Sequence, residues 1–442
     1  MMVIKQPDIH NIHAEREWWR GRKVAVWGAA RSGVSAAKLL ASLGAEVTLS
    51  DPRDEVSLPL AHCLPQGIKT SFGVPNQLKD AEVLIPSPGL KPSHPLIERA
   101  RVSGVRIMSE IELGSRVTEA KIIAITGTDG KSTTTRLIEE AISAQGCWSR
   151  SVGNIGDPLS NWALEAPSDG YLVVEVSAFQ LWSTSYLNAE LGVITNIAED
   201  HHDYFDGSAS AYRDAKLRLT TLLKPGGALF YPRERLSLDL LIEARDASTS
   251  PLELISYDLP KAPIPSLLIG RHNQLNLCVA LGITERLGFD LSKARAAFRD
   301  FSPLPYRMTL SGVIDGVRYV NDSKASNVHA ALSGILSVQE PLLVITGGYD
   351  KGLDLEELIS ALHRKARLVY CIGQTGVSIH NRLLDLNAKS SYVETLEKAV
   401  ISARENAFEG EMVLLSPAAS SFDQFKNFEE RGALFDTLVS RL

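Results

Sequence analysis

The sequence has few cysteines, no long apolar run and no surplus of basic residues, and each lack excludes a class of protein. Its four cysteines, Cys63, Cys147, Cys278 and Cys371, include no Cys-x-x-Cys pair, so neither a disulfide framework nor a zinc cluster is indicated. No apolar stretch approaches the roughly 18 residues of a membrane span, and the polar start MMVIKQPDIHNIHAEREWWR is unlike a signal peptide. The net charge of −6 argues against nucleic acid or a membrane surface as partner. The sequence therefore predicts a soluble cytoplasmic protein.

Strand and helix patterns alternate along most of the chain. At about 100–200 residues per domain, a chain of 442 residues is expected to form two to four domains. A short apolar run that leads into glycines and an amphipathic helix occurs in residues 23–51, again from about 121, and a third time after about 303. This pattern predicts mostly parallel sheets with ligands at the carboxyl ends of the strands. Linkers are expected around 108–116 and 301–307.

The first of these units departs from the dinucleotide-binding fingerprint. Where that fingerprint is Gly-x-Gly-x-x-Gly, the sequence has Gly28, Ala30 and Gly33. Ala30 replaces the glycine whose missing side chain lets a pyrophosphate approach the backbone. Two interpretations stay open: a tight turn that serves packing, or a nucleotide half-site for a ligand other than NAD. A dehydrogenase is disfavoured.

The stretch TGTDGKSTTT, residues 126–135, is a variant of a phosphate-binding loop. It follows an apolar run typical of a strand and opens an amphipathic helix, which is the context that such a loop requires. The usual first glycine is missing, and Gly127 stands only three residues before Gly130. Backbone N–H groups at a helix start favour an anion, Lys131 would add positive charge, and the next two hydroxyl side chains could bind Mg²⁺. The alternative is a glycine turn with a hydroxyl cap, which leaves the lysine unexplained.

Three polar stretches follow this loop. VVEVSAFQ contains Glu175, Ser177 and Gln180, NIAEDHHDYF contains an acidic run with two histidines, and AYRDAKLRL puts Lys216 on a predicted helix. Each also has an ordinary interpretation: Glu175 could cap the next helix, the acidic run could be a solvated loop, and Lys216 could lie on the surface. A histidine among carboxylates could indicate zinc, but the nearby phosphate loop favours Mg²⁺ with oxygen ligands.

Ten short stretches occur in an order that resembles one enzyme family. They are TGTDGKST, VGNIG, EVSAFQ, NIAEDHHD, AYRDAKLR, GRHNQLN, LPYRM, VNDSKASN, GGYDKG and SPAASSFDQFKNFEERG. Over essentially the whole chain they resemble the Mur ligases of peptidoglycan synthesis, whose own phosphate loop has the shortened Gly-x-x-Gly-Lys form. The NDSKASN and SPAASSFDQFKNFEERG stretches resemble most closely the family member that adds D-glutamate to UDP-N-acetylmuramoyl-L-alanine.

The resemblance implies an α/β fold with three domains. Residues 1–109 are expected to form an N-terminal Rossmann-like domain that binds the UDP-substrate, which is consistent with Ala30. Residues 110–303 would form a central ATP-binding domain of P-loop ATPase type with a mostly parallel sheet. Residues 304–442 would form a C-terminal Rossmann-like α/β domain that binds the amino acid.

The resemblance also implies roles for the matching positions of this sequence. The positions for the UDP-substrate are Arg31, Ser32, Asp51, Arg53, Ser87, Pro88, Gly89, Asn154, Ser177 and Gln180. Those for ATP are Gly127, Asp129, Gly130, Lys131, Ser132, Thr133, Asn273, Arg307 and Asp322. Those for the amino acid are Lys324, Ser326, Lys351, Ser421, Phe422 and Phe428. The catalytic positions are Lys131, Glu175, His201 and Lys216, and the metal-binding positions are Ser132, Glu175, His201 and Lys216.

The implied reaction is an ATP-dependent ligation through an acyl phosphate. ATP would phosphorylate the alanyl carboxylate, the D-glutamate amine would attack it, and a tetrahedral intermediate would expel phosphate. Lys131 and two Mg²⁺ ions would balance the charge on the transferring phosphoryl group. Lys216 matches a lysine that the family carbamylates, which would turn a cation into an anion suited to the second metal ion. The expected partners are these three substrates, with no nucleic acid and no membrane, and the chain is expected to be a monomer.

Two positions depart from the family pattern. Asp129 stands where the loop usually has Asn, and its carboxylate would repel phosphates unless Mg²⁺ or a lysine offsets it. Tyr204 stands where Arg often follows the DHxD motif, which puts one contact to the incoming amino acid in doubt.

Rival functions stay open at this point. Within the same enzyme class they are a Mur-type ligase that adds L-glutamate or another amino acid, and folylpolyglutamate synthase. A different class is a non-catalytic protein that uses the loop only to sense ATP, and it leaves Lys216 and the NDSKASN stretch unexplained. A panel of amino acids tested with the UDP-muramoyl-alanine acceptor would separate the ligases.

Overall fold

The chain forms two compact units. A computed structural model describes residues 11–73, 78, 80–198, 204–246, 252–350, 352 and 354–442. The first unit consists of residues 1–258 and 276–298, and the second of residues 259–275 and 299–442. The first unit is therefore discontinuous in sequence, because a segment of the second unit is inserted into it.

A five-stranded parallel sheet lies in the N-terminal part of the first unit, with strand order β3-β2-β1-β4-β5. Its strands are β1 (Lys23–Trp27), β2 (Glu46–Asp51), β3 (Lys69–Phe72), β4 (Val83–Pro86) and β5 (Arg106–Ile107). Its helices are α1 (Ile12–Trp18), α2 (Arg31–Ser42) and α3 (Pro95–Val102). Helix α3 begins with proline, which lacks the N–H that a first turn leaves unsatisfied. Apolar residues of α2 pack with those of β1 and β2 in one core.

A six-stranded sheet completes the first unit, with strand order β11-β10-β9-β6-β8-β7 and parallel pairing throughout. Its strands are β6 (Lys121–Thr126), β7 (Ser149–Gly153), β8 (Tyr171–Glu175), β9 (Ala189–Ile194), β10 (Leu223–Pro232) and β11 (Glu253–Tyr257). The helices that follow α3 along the chain are α4 (Glu110–Val117), α5 (Lys131–Ser143), α6 (Ala178–Leu181), α7 (Ala209–Leu217), α8 (Leu238–Asp246), α9 (Arg271–Arg286) and α10 (Leu291–Asp300). Strands β6 and β8 are buried along almost their whole length, which explains their continuous apolar runs.

Residues 276–298 pack back onto this second sheet and its helices. Thr134 Oγ1 donates to Asn276 Oδ1 at 3.2 Å. A Cβ at Gly282 would lie 3.1 Å from the Phe230 ring of β10, so the helix approaches the strand closely at that glycine. Tyr171 and Phe289 make an edge-to-face contact with ring centres 6.0 Å apart. These contacts make the returning segment part of the first unit's core.

The second unit contains a six-stranded sheet with strand order β12-β13-β17-β14-β15-β16. Its strands are β12 (Thr309–Ile314), β13 (Val317–Asn321), β14 (Leu342–Thr346), β15 (Ala366–Ile372), β16 (Ser390–Glu394) and β17 (Met412–Leu415). Its helices are α11 (Val328–Ser337), α12 (Glu356–Lys365), α13 (Gly373–Asp385), α14 (Leu396–Asn406) and α15 (Phe428–Val439). Only the β12–β13 pair is antiparallel among the described strands of this sheet, and Asp315-Gly316 joins it with positive φ at both residues.

The predicted three-domain α/β fold is confirmed, because each of the three predicted segments contains one largely parallel sheet. The boundaries at residues 109 and 303 stay predictions. The stretch 108–116, where a linker was expected, is instead largely helix α4, and all eight residues of that helix are buried. Within the described residues, no helix combines the length and the apolarity needed to cross a membrane.

Ion pairs explain why the polar sequence of α4 is buried. Arg116 donates to Glu112 on its own helix and forms a 3.3 Å ion pair with Glu15 of α1. Arg106 of β5 adds a 3.1 Å ion pair to Glu112. Charged groups are buried where they pair. A pattern of hydrophobicity does not reveal such pairs, since Glu15 and Arg116 lie 101 residues apart.

Glu110, at the start of α4, is a buried acid with an unusual proton affinity. Its Oε1 accepts a hydrogen bond from Ser160 N at 2.6 Å, and its Oε2 is buried with no hydrogen-bond partner among the described residues. Desolvation raises the pKa of Glu110 to about 7, although the Ser160 N–H opposes the shift. The folded protein therefore keeps this proton at pH values where the unfolded chain has lost it.

We expect Glu110→Gln to stabilise the first unit at pH 8 by up to about 3 kcal/mol and to have little effect near pH 4.5. In the wild type, stability falls as the pH rises from the unfolded pKa to the raised folded pKa, because the unfolded chain alone releases the proton. Urea unfolding at several pH values, followed by tryptophan fluorescence, measures the difference, since all six tryptophans lie in the first unit. Glu98→Gln, at an exposed carboxylate, is the control. Parallel stability curves for Glu110→Gln and wild type between pH 5 and 8 would contradict the expectation.

Candidate functional site

Two glycines set the path of the phosphate loop between β6 and α5. Gly127 has a φ of +148° and Gly130 a φ of +79°, which other residues rarely adopt. A Cβ at Gly127 would lie 1.9 Å from Thr195 Oγ1, and a Cβ at Gly130 would lie 2.9 Å from Asn276 Oδ1. Both positions therefore require glycine, and the prediction of a strand–loop–helix unit is confirmed.

The residues that follow β9 hold this loop from one side. Asn196 Oδ1 accepts hydrogen bonds from Thr128 N and Asp129 N, both at 3.0 Å. Thr195 Oγ1 donates to the Asp129 carbonyl at 2.5 Å. The N–H groups of residues 128 and 129 are thus satisfied within the protein, which leaves the first N–H groups of α5 as the candidates to bind an anion. Thr195 is a residue that the sequence did not indicate.

Two lysines converge on one carbonyl of the loop. Lys131 Nζ donates to the carbonyls of Gly127 at 2.9 Å and Thr128 at 2.7 Å. Lys216 Nζ, from α7, donates to the same Gly127 carbonyl at 2.5 Å and lies 4.5 Å from the centre of the Tyr212 ring. Lys216 is only 1% exposed, so its interpretation as a surface lysine is wrong. The helix predicted for it is confirmed.

Glu175 lies at the same edge of the sheet as the phosphate loop. It ends β8 and is in register with Ile125 of β6, one residue before the loop-proximal end of that strand. Asn154 Nδ2 donates to Glu175 Oε1 at 2.8 Å. Glu175 Oε2 is buried and makes no hydrogen bond to any described residue. A buried carboxylate oxygen without a donor fits a cation ligand.

Ser177 and Gln180 pair with each other at the start of α6. Ser177 N donates to Gln180 Oε1 at 2.9 Å as one half of a capping box, and the Ser177 hydroxyl donates to the same oxygen at 2.9 Å. The cap of α6 is therefore Ser177 and not Glu175. The predicted contact of Ser177 and Gln180 with the UDP-substrate stays a prediction.

The candidate residues of the first sheet surround the turn after β1. Asp51 is buried at the end of β2 and accepts hydrogen bonds at 2.8 Å from Ala29 N and from two nitrogens of Arg53. The Arg53 guanidinium, together with the backbone N–H groups of Ala29 and Arg53, lowers the pKa of Asp51 to about 2. Arg31 Nη1 donates to the Gly156 carbonyl at 3.2 Å, which links α2 to the VGNIG stretch of the central sheet. Ser32 lies in the first turn of α2.

The SPGL stretch packs directly on this turn. A Cβ at Gly28 would lie 2.7 Å from the Ser87 Cβ, and Gly28 has a φ of +97°. Leu90 N donates to the Ser87 carbonyl at 2.9 Å, which closes a β-turn over residues 87–90. The structure thus brings Ser87, Pro88 and Gly89 next to the βα turn, at the carboxyl end of β4.

In the second unit, three loops follow the neighbouring strands β13, β17 and β14. Asp322, after β13, accepts hydrogen bonds from Met308 N at 3.2 Å and from Ser416 Oγ at 3.4 Å. Lys324 Nζ lies 3.9 Å from the centre of the Phe428 ring. After β17, Ser421 is buried and Phe422 is 64% exposed. These positions share the carboxyl edge of one sheet.

Arg431 is a residue to which the sequence assigned no role, and it ties two of these loops together. It is 1% exposed. Its Nε and Nη2 donate to Ser323 Oγ at 3.0 Å and to the Ser323 carbonyl at 2.9 Å, and its Nη1 donates to the Ala419 carbonyl at 3.1 Å. Burial lowers the pKa of Arg431 to about 10, and Asp423 partly offsets the shift. The one available sequence signal was its place in the FEERG end of the last matching stretch.

The candidate residues divide between the two units. The phosphate loop, Glu175, Lys216 and the UDP-substrate positions belong to the first unit, and Asn273, Arg307, Asp322 and the amino-acid positions belong to the second. Asn273 Nδ2 donates to the Ile269 carbonyl at 2.7 Å, and Ser326 N to the Lys324 carbonyl at 2.8 Å. His201 and Lys351 lie outside the described residues, so their roles stay predictions.

Comparison with known protein families gives three matches along the chain. Residues 22–109 match the Mur ligase MurD-like N-terminal domain, residues 125–258 match the Mur ligase middle domain, and residues 306–419 match the Mur ligase glutamate ligase domain. The matches follow the chain in the order of its three sheets.

Individual proteins match over nearly their full length. The chain is 35% identical to the UDP-N-acetylmuramoylalanine–D-glutamate ligase of Chlorobium limicola, with 96% of this chain and 98% of that protein covered. It is 33% identical to the ligase of the same name from Alkaliphilus oremlandii, with coverage of 95% and 98%. Among solved structures, the UDP-N-acetylmuramate-alanine ligase MurC of Thermotoga maritima matches with a TM-score of 0.58, 19% identity and coverage of 95% and 98%. That last likeness concerns the fold alone.

Proposed function

Since the chain belongs to the Mur ligase family, we propose that it joins D-glutamate to UDP-N-acetylmuramoyl-L-alanine with ATP, through an acyl phosphate. The observation that carries this proposal is the full-length identity with ligases of that name. The proposed reaction belongs to peptidoglycan synthesis, and the proposed enzyme works in the cytoplasm as a monomer. The domain boundaries 1–109, 110–303 and 304–442 are part of the same proposal.

The ATP phosphates would bind at the start of α5. The N–H groups of Thr128 and Asp129 are already bonded to Asn196, so the phosphates would take the N–H groups of residues 130–133. Lys131 would exchange its two carbonyl partners for the phosphates and neutralise charge there. Asn273, Arg307 and Asp322 stay predicted ATP-binding positions.

Mg²⁺ fits the residues at this edge of the sheet. The unpartnered Oε2 of Glu175 and the hydroxyl of Ser132 are oxygen ligands of the kind that Mg²⁺ prefers, and His201 is the further candidate. When bound, Mg²⁺ would neutralise charge on the phosphates during transfer. We propose two Mg²⁺ ions, as the resemblance to the Mur ligases implies.

Carbamylation of Lys216 is supported by its geometry. Two ammonium groups that share the Gly127 carbonyl repel each other. Addition of CO₂ to the neutral Lys216 amine, with loss of one proton, would give a carbamate anion that keeps one N–H for the same carbonyl. The repulsion from Lys131 would then become an attraction, and the carbamate oxygens could bind or orient the second Mg²⁺ ion.

The amino acid would bind to loops of the second unit. Lys324, Lys351 and Ser421 would neutralise or hydrogen-bond the carboxylates of glutamate. The Phe428 ring already positions Lys324 by a cation–π contact. The glutamate amine would attack the acyl phosphate, and the resulting tetrahedral intermediate would expel phosphate.

Phosphate release from ATP tests the proposal. The assay contains purified protein, Mg²⁺, UDP-N-acetylmuramoyl-L-alanine and D-glutamate, with each component omitted in turn and L-glutamate substituted for D-glutamate. Release that requires the acceptor and D-glutamate is the expected result. Release only with L-glutamate or another amino acid would keep the mechanism and change the substrate. ATP binding without acceptor-dependent release would indicate a non-catalytic protein and end the substrate assignments.

Asp129 is expected to make the reaction more dependent on Mg²⁺. Its backbone is held by Asn196 and Thr195, so Asp129→Asn should leave the loop in place and remove only the negative charge. We expect the variant to reach half-maximal phosphate release at a Mg²⁺ concentration about three- to fivefold lower than the wild type, because less repulsion has to be offset. Asp169→Asn, at an exposed loop aspartate, is the control. Superimposable Mg²⁺ titrations of Asp129→Asn and wild type would refute the idea.

A further inference from the structure

The Tyr204 side chain joins the two sheets of the first unit. Its hydroxyl lies 2.8 Å from the Pro88 carbonyl and 2.6 Å from the Leu90 carbonyl, and Trp182 Nε1 donates to it at 3.0 Å. A phenol has one hydrogen, so that hydrogen is shared between the two carbonyls while the indole N–H occupies a lone pair. Tyr204 is 7% exposed, and desolvation raises its pKa to about 12, so the hydroxyl keeps its hydrogen throughout the physiological range.

The contact holds both ends of one short turn. Residues 87–90 form the β-turn that packs on Gly28, and Gly89 at its tip is exposed. In a planar trans peptide the carbonyl and the N–H point in opposite directions. Since Tyr204 holds the Pro88 carbonyl, the N–H of Gly89 is directed away from the phenol. Its single partner among the described residues is Ser87 Oγ at 3.4 Å, at the far limit of a hydrogen bond.

Aromatic packing holds the phenol in place. The Phe179 ring centre lies 4.1 Å from that of Tyr204, and the Phe205 ring centre lies 5.0 Å away. Tyr212 continues the contact from Phe205 at 5.9 Å, and its hydroxyl lies 3.3 Å from Thr128 Oγ1 of the phosphate loop. The side chain that touches the 87–90 turn thus belongs to a cluster that also touches the phosphate loop.

We propose that Tyr204 is a positioning residue for the acceptor substrate, because its hydroxyl orients the 87–90 turn so that the Gly89 N–H faces a phosphate of the nucleotide. The proposal deepens the proposed function and rests on it, since it assigns the turn to the UDP group of the acceptor. It also gives a role to a residue that departs from the family pattern. Tyr204 donates to backbone carbonyls of the turn, which is a different task from a contact with the amino acid.

Tyr204→Phe removes the hydroxyl and keeps the ring. We expect the Kd for UDP-N-acetylmuramoyl-L-alanine, measured by calorimetry without ATP, to rise about five- to tenfold, as loss of one such hydrogen bond would produce. The KM for the acceptor should rise by the same factor, while kcat and the KM values for ATP and D-glutamate stay within twofold. If Tyr204 had only a structural role, Tyr204→Phe would lower the melting temperature without the selective rise in the Kd and KM for the acceptor.

Two controls separate the hydroxyl from its surroundings. Tyr171→Phe removes a phenol that contacts Lys121 in the same unit and should leave acceptor binding unchanged. Trp182→Phe removes the donor to Tyr204 and keeps the hydroxyl on the turn, so the acceptor Kd should stay within twofold of wild type. An unchanged acceptor Kd in folded Tyr204→Phe, or equal weakening in Trp182→Phe, would overturn the inference. A wild-type protein that does not bind the acceptor would instead overturn the proposed function itself.

Discussion

The Lys216→Ala variant is expected to lose about 10³-fold or more in the rate of phosphate release with acceptor and D-glutamate. Lys216 is buried and donates to the Gly127 carbonyl of the phosphate loop. In the proposed carbamylated form it places a negative group beside Lys131 and the Mg²⁺ ligands. Alanine removes that group and leaves the loop carbonyl with one lysine fewer. Formate or acetate at high concentration should restore part of the rate, because a small carboxylate can enter the space that the side chain leaves.

Rescue by formate or acetate distinguishes the role of Lys216 from that of Lys131. Lys131 acts as a cation on phosphate, so a carboxylate should not restore Lys131→Ala. Lys224→Ala, at a half-exposed lysine that pairs with Glu190 on the same sheet, is the control for loss of a lysine and should keep wild-type activity. Full activity of untreated Lys216→Ala would remove Lys216 from the site. If carboxylates restored activity equally in Lys216→Ala and Lys131→Ala, the proposed carbamate on Lys216 would be wrong.

The Arg431→Ala variant is expected to destabilise the second unit by about 3–5 kcal/mol. Arg431 is 1% exposed, and its guanidinium donates to two acceptors on Ser323 and one on Ala419. Alanine would leave the two carbonyls without these donors and open a cavity between the loops after β13 and β17. Arg431→Lys should lose less, because an ammonium can reach some of the acceptors but not with the planar fork of arginine.

Hydrogen exchange followed by mass spectrometry measures this effect by region. Faster exchange of β13 and β17 amides is expected, with exchange in β6 and β8 of the first unit unchanged. Tryptophan fluorescence supplies an internal reference during urea unfolding, because it reports on the first unit only. Arg441→Ala, at an exposed arginine beyond α15, is the matched control. Wild-type exchange rates in β13 and β17 of Arg431→Ala would contradict the expected role.

Local patterns in the sequence were sufficient to predict some of the strands and the phosphate loop. The runs that became β8, β14 and β17 are apolar and end in polar or glycine-rich turns, so both their type and their functional end could be inferred. The two glycines that determine the loop geometry lie within four consecutive positions of the TGTDGKSTTT stretch. Such features depend on neighbours in sequence, which is why they could be inferred without coordinates.

The features that the sequence did not reveal depend on partners that are distant in sequence. Helix α4 was interpreted as a linker because the ion pairs that allow its burial are not visible in its own sequence. Their partners, Glu15 and Arg106, lie on other elements. Tyr204 contacts carbonyls 114 and 116 residues away, and Arg431 contacts Ser323 108 residues away. Every residue has a backbone carbonyl that can accept a side-chain hydrogen bond, so no sequence motif identifies such an acceptor. Lys216 was ambiguous for the same reason, since only the fold shows that its helix is buried against the loop.

The inserted segment of the second unit has a consequence for how the chain is made. A ribosome releases the strands of the second sheet before it releases residues 276–298, which pack against Phe230 of β10 and Tyr171 of β8. During that interval the nascent first unit has all its strands but exposes part of its apolar surface to water. Its final packing therefore waits until a piece of the other unit, residues 259–275, has also been synthesised. Folding of the first unit is thus coupled in time to synthesis of residues 259–275 of the second unit.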